Sequence, residues 1–244
     1  MVDGIDALGE GQARVYYRWV EDQGDPAQTE RWRRLLSEEE RTRQVRFYFE
    51  HDRQTYLAAH ALTRTVLSRL VGAPPASLRF ELGERGRPEL SYPALQPALR
   101  FNLSHTRGLV ACAVAIAADV GVDVEQVERR LDIDQLARSV FSESEREAMA
   151  ALPVEAQRKR FFQLWTLKES YIKAVGKGLA LPLRAISLRL DAEPTPRIEF
   201  GPQIADDGRD WWFHVRQPRP SHMLSVALRS AGQPRFALHE LSDF

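Results

Sequence analysis

Three carboxylates and a lysine, drawn from two short stretches, are the side chains of this sequence best suited to chemistry. In "VGVDVE", residues 120–125, apolar and acidic positions alternate. Side chains two apart on a strand share a face, so Asp123 and Glu125 project together while Val122 and Val124 point the other way. Two carboxylates held so close repel unless a cation lies between them, and a hard cation with oxygen ligands is the economical answer. Two acids on an exposed strand face are the plain alternative. In "LWTLKESYIKAV", residues 164–175, Glu169 and Lys173 lie four apart on one helical face, with Trp165 one turn before Glu169. A surface ion pair has the same spacing, but two features weigh against it. Phe161, Phe162, Leu164, Leu167, Tyr171 and Ile172 make the segment too apolar for an exposed helix. Moreover, all the lysines of the chain (Lys159, Lys168, Lys173 and Lys177) fall in this region, and its other basic residues are arginine. Arginine stays protonated, whereas a lysine in a partly buried site can give up a proton. One or two of these lysines are therefore expected to move a proton or supply a compact point charge; Lys159, between Arg158 and Arg160, is expected to be solvated charge only. Magnesium takes a few carboxylates and completes its shell with phosphate oxygens and water. Three acids beside a lysine thus point to a phosphate or pyrophosphate substrate and to phosphoryl transfer.

Candidate grips for such a substrate are scattered. "GERGRPEL" sets Arg85 and Arg87 around Gly86 in a turn, "FNLSHT" carries Ser104 and His105, and Arg46 and Arg53 flank the entry to the first long helix. Guanidinium groups there suit phosphate or a base face. No G-x-x-x-x-G-K-[ST] or G-x-G-x-x-G motif is present, so the ordinary nucleotide-binding folds are not indicated. The histidines lack metal-ligand spacing and Cys112 is the single cysteine, which argues against zinc. Acidic and basic residues balance at 34 each, giving no case for a nucleic-acid or membrane partner. Cys112 sits in an apolar run, as a buried thiol of a reducing compartment would. "MVDGIDALGEGQ" has no secretory character, and "LVACAVAIAA" is too short to span a bilayer. A soluble, cytoplasmic protein is expected.

These residues must be positioned by a pattern that is written twice. "LSEEERTR" from Leu36 is echoed by "FSESEREA" from Phe141, each with a serine N-cap and glutamate three residues on. A long apolar-periodic helix ending near glycine follows each, then an extended segment, then a serine–histidine pair and a strand-like run ("SHTRGLVACAVAIA", "SHMLSVALRS"). The expectation is an α+β chain of two similar halves, 1–118 and 119–244, related by a pseudo-twofold axis, with a ligand in the cleft between them.

Read in order, "GRPEL … FNLSH … GVDVE … FSESE … FFQLWTLKESYIKAVGKGL" resembles the surfactin-type (Sfp-type) 4′-phosphopantetheinyl transferases, from about Ser37 to Leu181. Its most specific elements are the G-[IV]-D-[IV]-E strand and W-x-x-K-E-[SA] on a helix. The resemblance implies transfer of the phosphopantetheine arm of coenzyme A to a serine of an apo acyl or peptidyl carrier protein, with release of adenosine 3′,5′-bisphosphate. It implies Asp123, Glu125 and Glu169 as ligands of Mg²⁺ (or Mn²⁺), Glu169 as base for the serine hydroxyl, and Lys173 as partner of the leaving phosphate. Ser104 and His105 would contact the phosphates of coenzyme A, Arg87 the adenine and 3′-phosphate, and Arg53, with Arg46 in reserve, the 3′-phosphate. Glu145 would support the site from behind. The carrier would dock near "VERRLDIDQLARSV", steered by Arg129, Arg130 and Arg138 with Leu131 and Leu136 as apolar contacts. Two halves in one chain imply a monomer. A descendant that binds carrier or coenzyme A without chemistry is the alternative, and the intact acid trio speaks against it.

Overall fold

A computed structural model describes residues 8–22, 24–83, 86–176, 178, 181–190 and 195–244. Strand β1 (Gln12–Trp19) leads into helices α1 (Pro26–Leu35), α2 (Glu38–Gln44) and α3 (Glu50–Val71), then strands β2 (Arg79–Leu82), β3 (Pro88–Tyr92), β4 (Leu99–Thr106), β5 (Leu109–Ile116) and β6 (Val120–Gln126). Helices α4 (Ile133–Val140), α5 (Glu143–Ala150) and α6 (Val154–Val175) follow, and strands β7 (Ile186–Arg189), β8 (Arg197–Phe200), β9 (Trp211–Arg219), β10 (His222–Arg229) and β11 (Arg235–Glu240) complete the chain. The class is α+β, as the alternation of patterns predicts. No helix among the described residues is long and apolar enough to cross a membrane.

One series of elements occurs twice. Ser37 and Ser142 both cap helices as predicted, each accepting from the amide three residues on while Glu40 or Glu145 reaches back to the cap amide. Each cap opens a short helix, and a helix of 22 residues follows, closed by a left-handed glycine, Gly72 or Gly176. A 3₁₀ turn and a two-stranded ribbon come next, β2–β3 in one case and β7–β8 in the other. The larger sheets run β11-β1-β5-β4 and β6-β10-β9.

These two sheets face one another. Ala13 and Val15 from β1 and alternate residues of β5 (Leu109, Ala111, Ala113, Ala115) meet Val120, Val122, Val124 and the even-numbered apolar residues of β10 in one buried cluster. The opposite face of β5 (Val110, Cys112, Val114) packs under α3, and α6 covers the outer face of the second sheet. The result is four layers, helix–sheet–sheet–helix. Being covered on both faces, β5 reads as an unbroken apolar run, and burial pushes the Cys112 thiol up to about 12, leaving it inert.

The echo of the two serine–histidine pairs does not survive. Ser104 and His105 end β4, before the hairpin turn, whereas Ser221 lies in the β9–β10 turn and His222 begins β10. The pairs therefore occupy different places in their hairpins. His222 Nε2 lies 2.8 Å from the Arg107 carbonyl and its ring packs edge-on to Trp19, so it ties the hairpins together. Nor does sheet membership follow the chain throughout. Strand β11, late in the sequence, pairs in parallel with β1, in register from Gln12↔Arg235 to Tyr17↔Glu240.

Candidate active site

Strand β6 carries the acids, and how it is gripped decides where they point. It pairs with β10 on one edge, Asp123 opposite Ser225 and Glu125 opposite Met223. On the side of β4, side chains take the place of a backbone ladder: Asn102 Oδ1 accepts from the Val122 amide at 2.9 Å, and Ser104 Oγ accepts from the Val124 amide at 3.2 Å. Asn102 was missed in the sequence, although its place two residues before Ser104 on a strand puts both on one face.

Helix α6 lies against β6 at very short range, and Gly121 makes the approach possible. A Cβ at that position would stand 2.0 Å from the Ser170 carbonyl oxygen and 2.6 Å from the Ala174 amide nitrogen. Gly121→Ala must therefore lift β6 from α6 and separate Asp123 from Lys173. Thermal unfolding of the variant should register a loss near or above the top of the ~1–3 kcal/mol range for overpacking, with turnover largely gone. An unchanged melting curve would refute this account of the glycine.

The geometry that results is specific. Asp123 is 5 % exposed. Its Oδ1 accepts from Lys173 Nζ at 2.7 Å and from Ser104 Oγ at 3.0 Å, and Lys173 Nζ also donates to Ser104 Oγ at 2.8 Å. Its Oδ2 is buried with no hydrogen-bond partner, which calls for something outside the chain. Burial, and then the charge of Asp123, push the carboxyls of Glu125 and Glu169 up. Lys173 works against this at Glu169, where Glu125 adds a smaller upward push. Glu125 accepts from the Trp165 indole at 3.2 Å and from Arg129 Nη1 at 3.0 and 3.2 Å. Among the described residues, no three acidic, histidine or cysteine side chains stand preassembled as a metal cage; Glu125 faces the indole and guanidinium instead. His105 opens to solvent at the end of β4. Neighbouring protein atoms crowd its ring, and that crowding, followed by the Lys173 charge, lowers its titration.

Comparison with known proteins places these residues in a family. Residues 119–228 match the model of the 4′-phosphopantetheinyl transferase superfamily, and residues 23–117 match that of the 4′-phosphopantetheinyl transferase N-terminal region. The 4′-phosphopantetheinyl transferase HetI of Nostoc sp. is 33% identical over 202 residues, 82% of each chain. The chain belongs to the 4′-phosphopantetheinyl transferases. Sfp of Bacillus subtilis is 32% identical over 223 residues, 91% of this chain and 94% of its own. A Bacillus anthracis holo-(acyl-carrier-protein) synthase, solved in complex with CoA (3′,5′-ADP), covers 46% of this chain and 96% of its own at 20% identity, with a TM-score of 0.39.

The transferase distributes its remaining predicted residues unevenly. Arg87 Nη1 donates to the Ala174 carbonyl at 2.7 Å and to Asp119 at 3.1 Å, and its Nη2 lies 3.4 Å from Glu89, so the guanidinium fastens the β2–β3 ribbon to the end of α6. Arg85 lies outside the described residues. Arg53 is bound to Glu50 and to the Phe47 carbonyl. Arg46, exposed, lines a hollow of about 1030 Å³ with Arg43, Thr42 and Phe47, and with Glu38 and Glu39. Arg43 also reaches a second hollow of about 570 Å³ bordered by Tyr56, His60, Leu103 and Pro88. Glu145 is walled in with Lys168, Ser142 and the Leu188 amide. Of the lysines, Lys159 is exposed as expected, Lys173 is at the acids, Lys168 is buried, and Lys177 lies outside the described residues.

Proposed function

We propose that this transferase moves the phosphopantetheine arm of coenzyme A onto the serine hydroxyl of an apo acyl or peptidyl carrier protein, as a monomer. On this reading the chemistry lies in the cleft between two related halves, 1–118 and 119–244. The unpartnered buried Oδ2 of Asp123, beside two glutamates that burial and then its charge push up, is the observation that carries it.

The donor set is all hard oxygen and suits Mg²⁺, or Mn²⁺ in its place. Asp123 and Glu169 would hold the ion, joined by Glu125 once it turns from Arg129. A bound ion there would neutralise charge on the pyrophosphate. The chain's own side chains account for the rest. The serine oxygen attacks the phosphorus that bears the pantetheine arm; that O–P bond forms as the bond to the bridging oxygen breaks, and adenosine 3′,5′-bisphosphate leaves. Glu169, which faces the strand acids from α6, takes the serine proton. Lys173, held between Asp123 and Ser104, is aimed at the phosphate that departs. Ser104 and His105 border the phosphates, and Arg46 and Arg43, open to the hollow, are better placed for the 3′-phosphate than Arg53.

Intact-mass measurement tests the reading. An apo acyl carrier protein and an apo peptidyl carrier protein, each incubated with the enzyme, coenzyme A and Mg²⁺, should gain one phosphopantetheine, and EDTA should abolish the gain. Coenzyme A binding without any gain on either carrier would favour the non-catalytic alternative.

A further inference from the structure

Of the acid trio, Glu125 is the one held by an arginine, and that arginine reaches it from the surface. Arg129 Nη1 bridges both carboxylate oxygens at 3.0 and 3.2 Å. The Arg129 side chain is 45 % exposed while that of Glu125 is 13 % exposed, so the contact spans the wall of the site from outside to inside. The backbone at this point is fixed independently. Arg158 donates to the Val127 carbonyl at 2.7 Å and also to the Arg129 carbonyl. A change of partner for Arg129 therefore falls to its side chain, which is 45 % exposed. Next to it, Glu128, Arg130, Leu131, Asp132 and Arg158 line a shallow hollow of about 550 Å³.

We propose that Arg129 is a latch that withholds Glu125 from the cation until an acidic carrier surface draws the guanidinium away. The proposal rests on the function proposed above and names how its site is regulated. A guanidinium and a divalent cation compete for the same carboxylate, and both cannot be served at full strength. An anionic group of a docked carrier competes with Glu125 for Arg129 in the same way. The acidic partner is the occupant argued from charge: once released from Glu125, Arg129 joins Arg130 and Arg158 beside the apolar Leu131, three cations against the two acids Glu128 and Asp132. Coupling of this kind is reciprocal: a carrier that tightens the cation is itself tightened by the cation to the same degree.

The experiment measures Mn²⁺ binding by the electron paramagnetic resonance of the free ion, so no turnover is needed. Wild type and Arg129→Ala are compared with and without an apo carrier protein whose acceptor serine is replaced by alanine. Expected is a roughly fivefold tighter Mn²⁺ affinity for Arg129→Ala alone, about 1 kcal/mol. The carrier should tighten Mn²⁺ by a similar factor in wild type and leave Arg129→Ala unmoved. Arg129→Lys, with a point charge and no fork, should lie between the two. Equal Mn²⁺ affinities in wild type and Arg129→Ala, with or without carrier, overturn the latch and leave the transferase reading standing. Absence of Mn²⁺ binding in every sample overturns the latch and the metal site together, and circular dichroism of each variant keeps loss of fold apart from both.

Discussion

Asp123→Asn is expected to slow carrier modification by roughly a thousandfold, the upper range for removing one preorganised charge from a reacting site. The exchange is nearly isosteric, so the hydrogen bonds to Ser104 and Lys173 have an oxygen to find. What vanishes is the negative charge on the buried face where Oδ2 now lacks a partner. Stability should fall only modestly, because the Lys173 left without its carboxylate is partly exposed and the lost charge is also a cost to the neighbouring glutamates. It is among the causes that push Glu125 and Glu169 up, after burial, so without it both carboxyls should ionise at lower pH than in the wild type. Rate by intact mass, melting temperature and an NMR titration of the glutamates follow these three consequences. A variant that modifies carriers at near-normal rate would dispose of the assignment of Asp123 to the reaction. Lys173→Arg separates the roles of the lysine: retained activity would assign it charge alone, and a large loss would assign it a proton.

The second large effect is on folding. Lys168→Met should cost about 3–5 kcal/mol, the usual result of stranding one member of a buried ion pair. Lys168 and Glu145 are both 2 % exposed at the side chain and 2.6 Å apart. The ammonium also donates to the carbonyls of Val140, Leu183 and Ile186 at 2.9, 2.9 and 2.7 Å, joining the end of α4, the 3₁₀ turn and β7 to α6. Burial pushes its titration down, and the charge of Glu145 opposes this. Lys168→Arg should be nearly as damaging, since a flat fork cannot spread its donors over acceptors on several sides. Adding Glu145→Gln to Lys168→Met should restore part of the loss in urea unfolding, because no charge is then left alone. If the double variant is no more stable than Lys168→Met, the pair contributes no coupling of its own.

This helix also marks how far the sequence could be read. Clustered lysine was a sound signal that something unlike arginine happens in α6, yet two lysines answer it differently: Lys173 stands at the acids and Lys168 is buried in a cage. Both face inward from an apolar helix, and nothing local separates a charge aimed at a cleft from one aimed at backbone carbonyls. The capping boxes at Ser37 and Ser142, the glycine ends at Gly72 and Gly176, and the shared face of Asp123 and Glu125 were legible because each depends on residues a few positions apart. The family resemblance implied Arg87 and Arg53 as phosphate contacts, and a guanidinium in either place has that option. Their partners, Asp119 and the Ala174 carbonyl for one and Glu50 and the Phe47 carbonyl for the other, are settled by tertiary packing. The parallel pairing of β11 with β1 left no trace either, since it joins segments more than 200 positions apart.

That pairing limits what can be done with the molecule. A gene cut at the junction near 118 would yield a leading fragment whose first strand has lost its outer neighbour, and an open strand edge invites association with other chains. The trailing fragment would carry the missing strand with nothing of its own to lay it against. Co-expressed, the two pieces have a reason to find each other, because β11 completes a sheet only in the company of β1. The fold thus lends itself to a split reporter, in which recovered carrier modification signals that two fused partners have met.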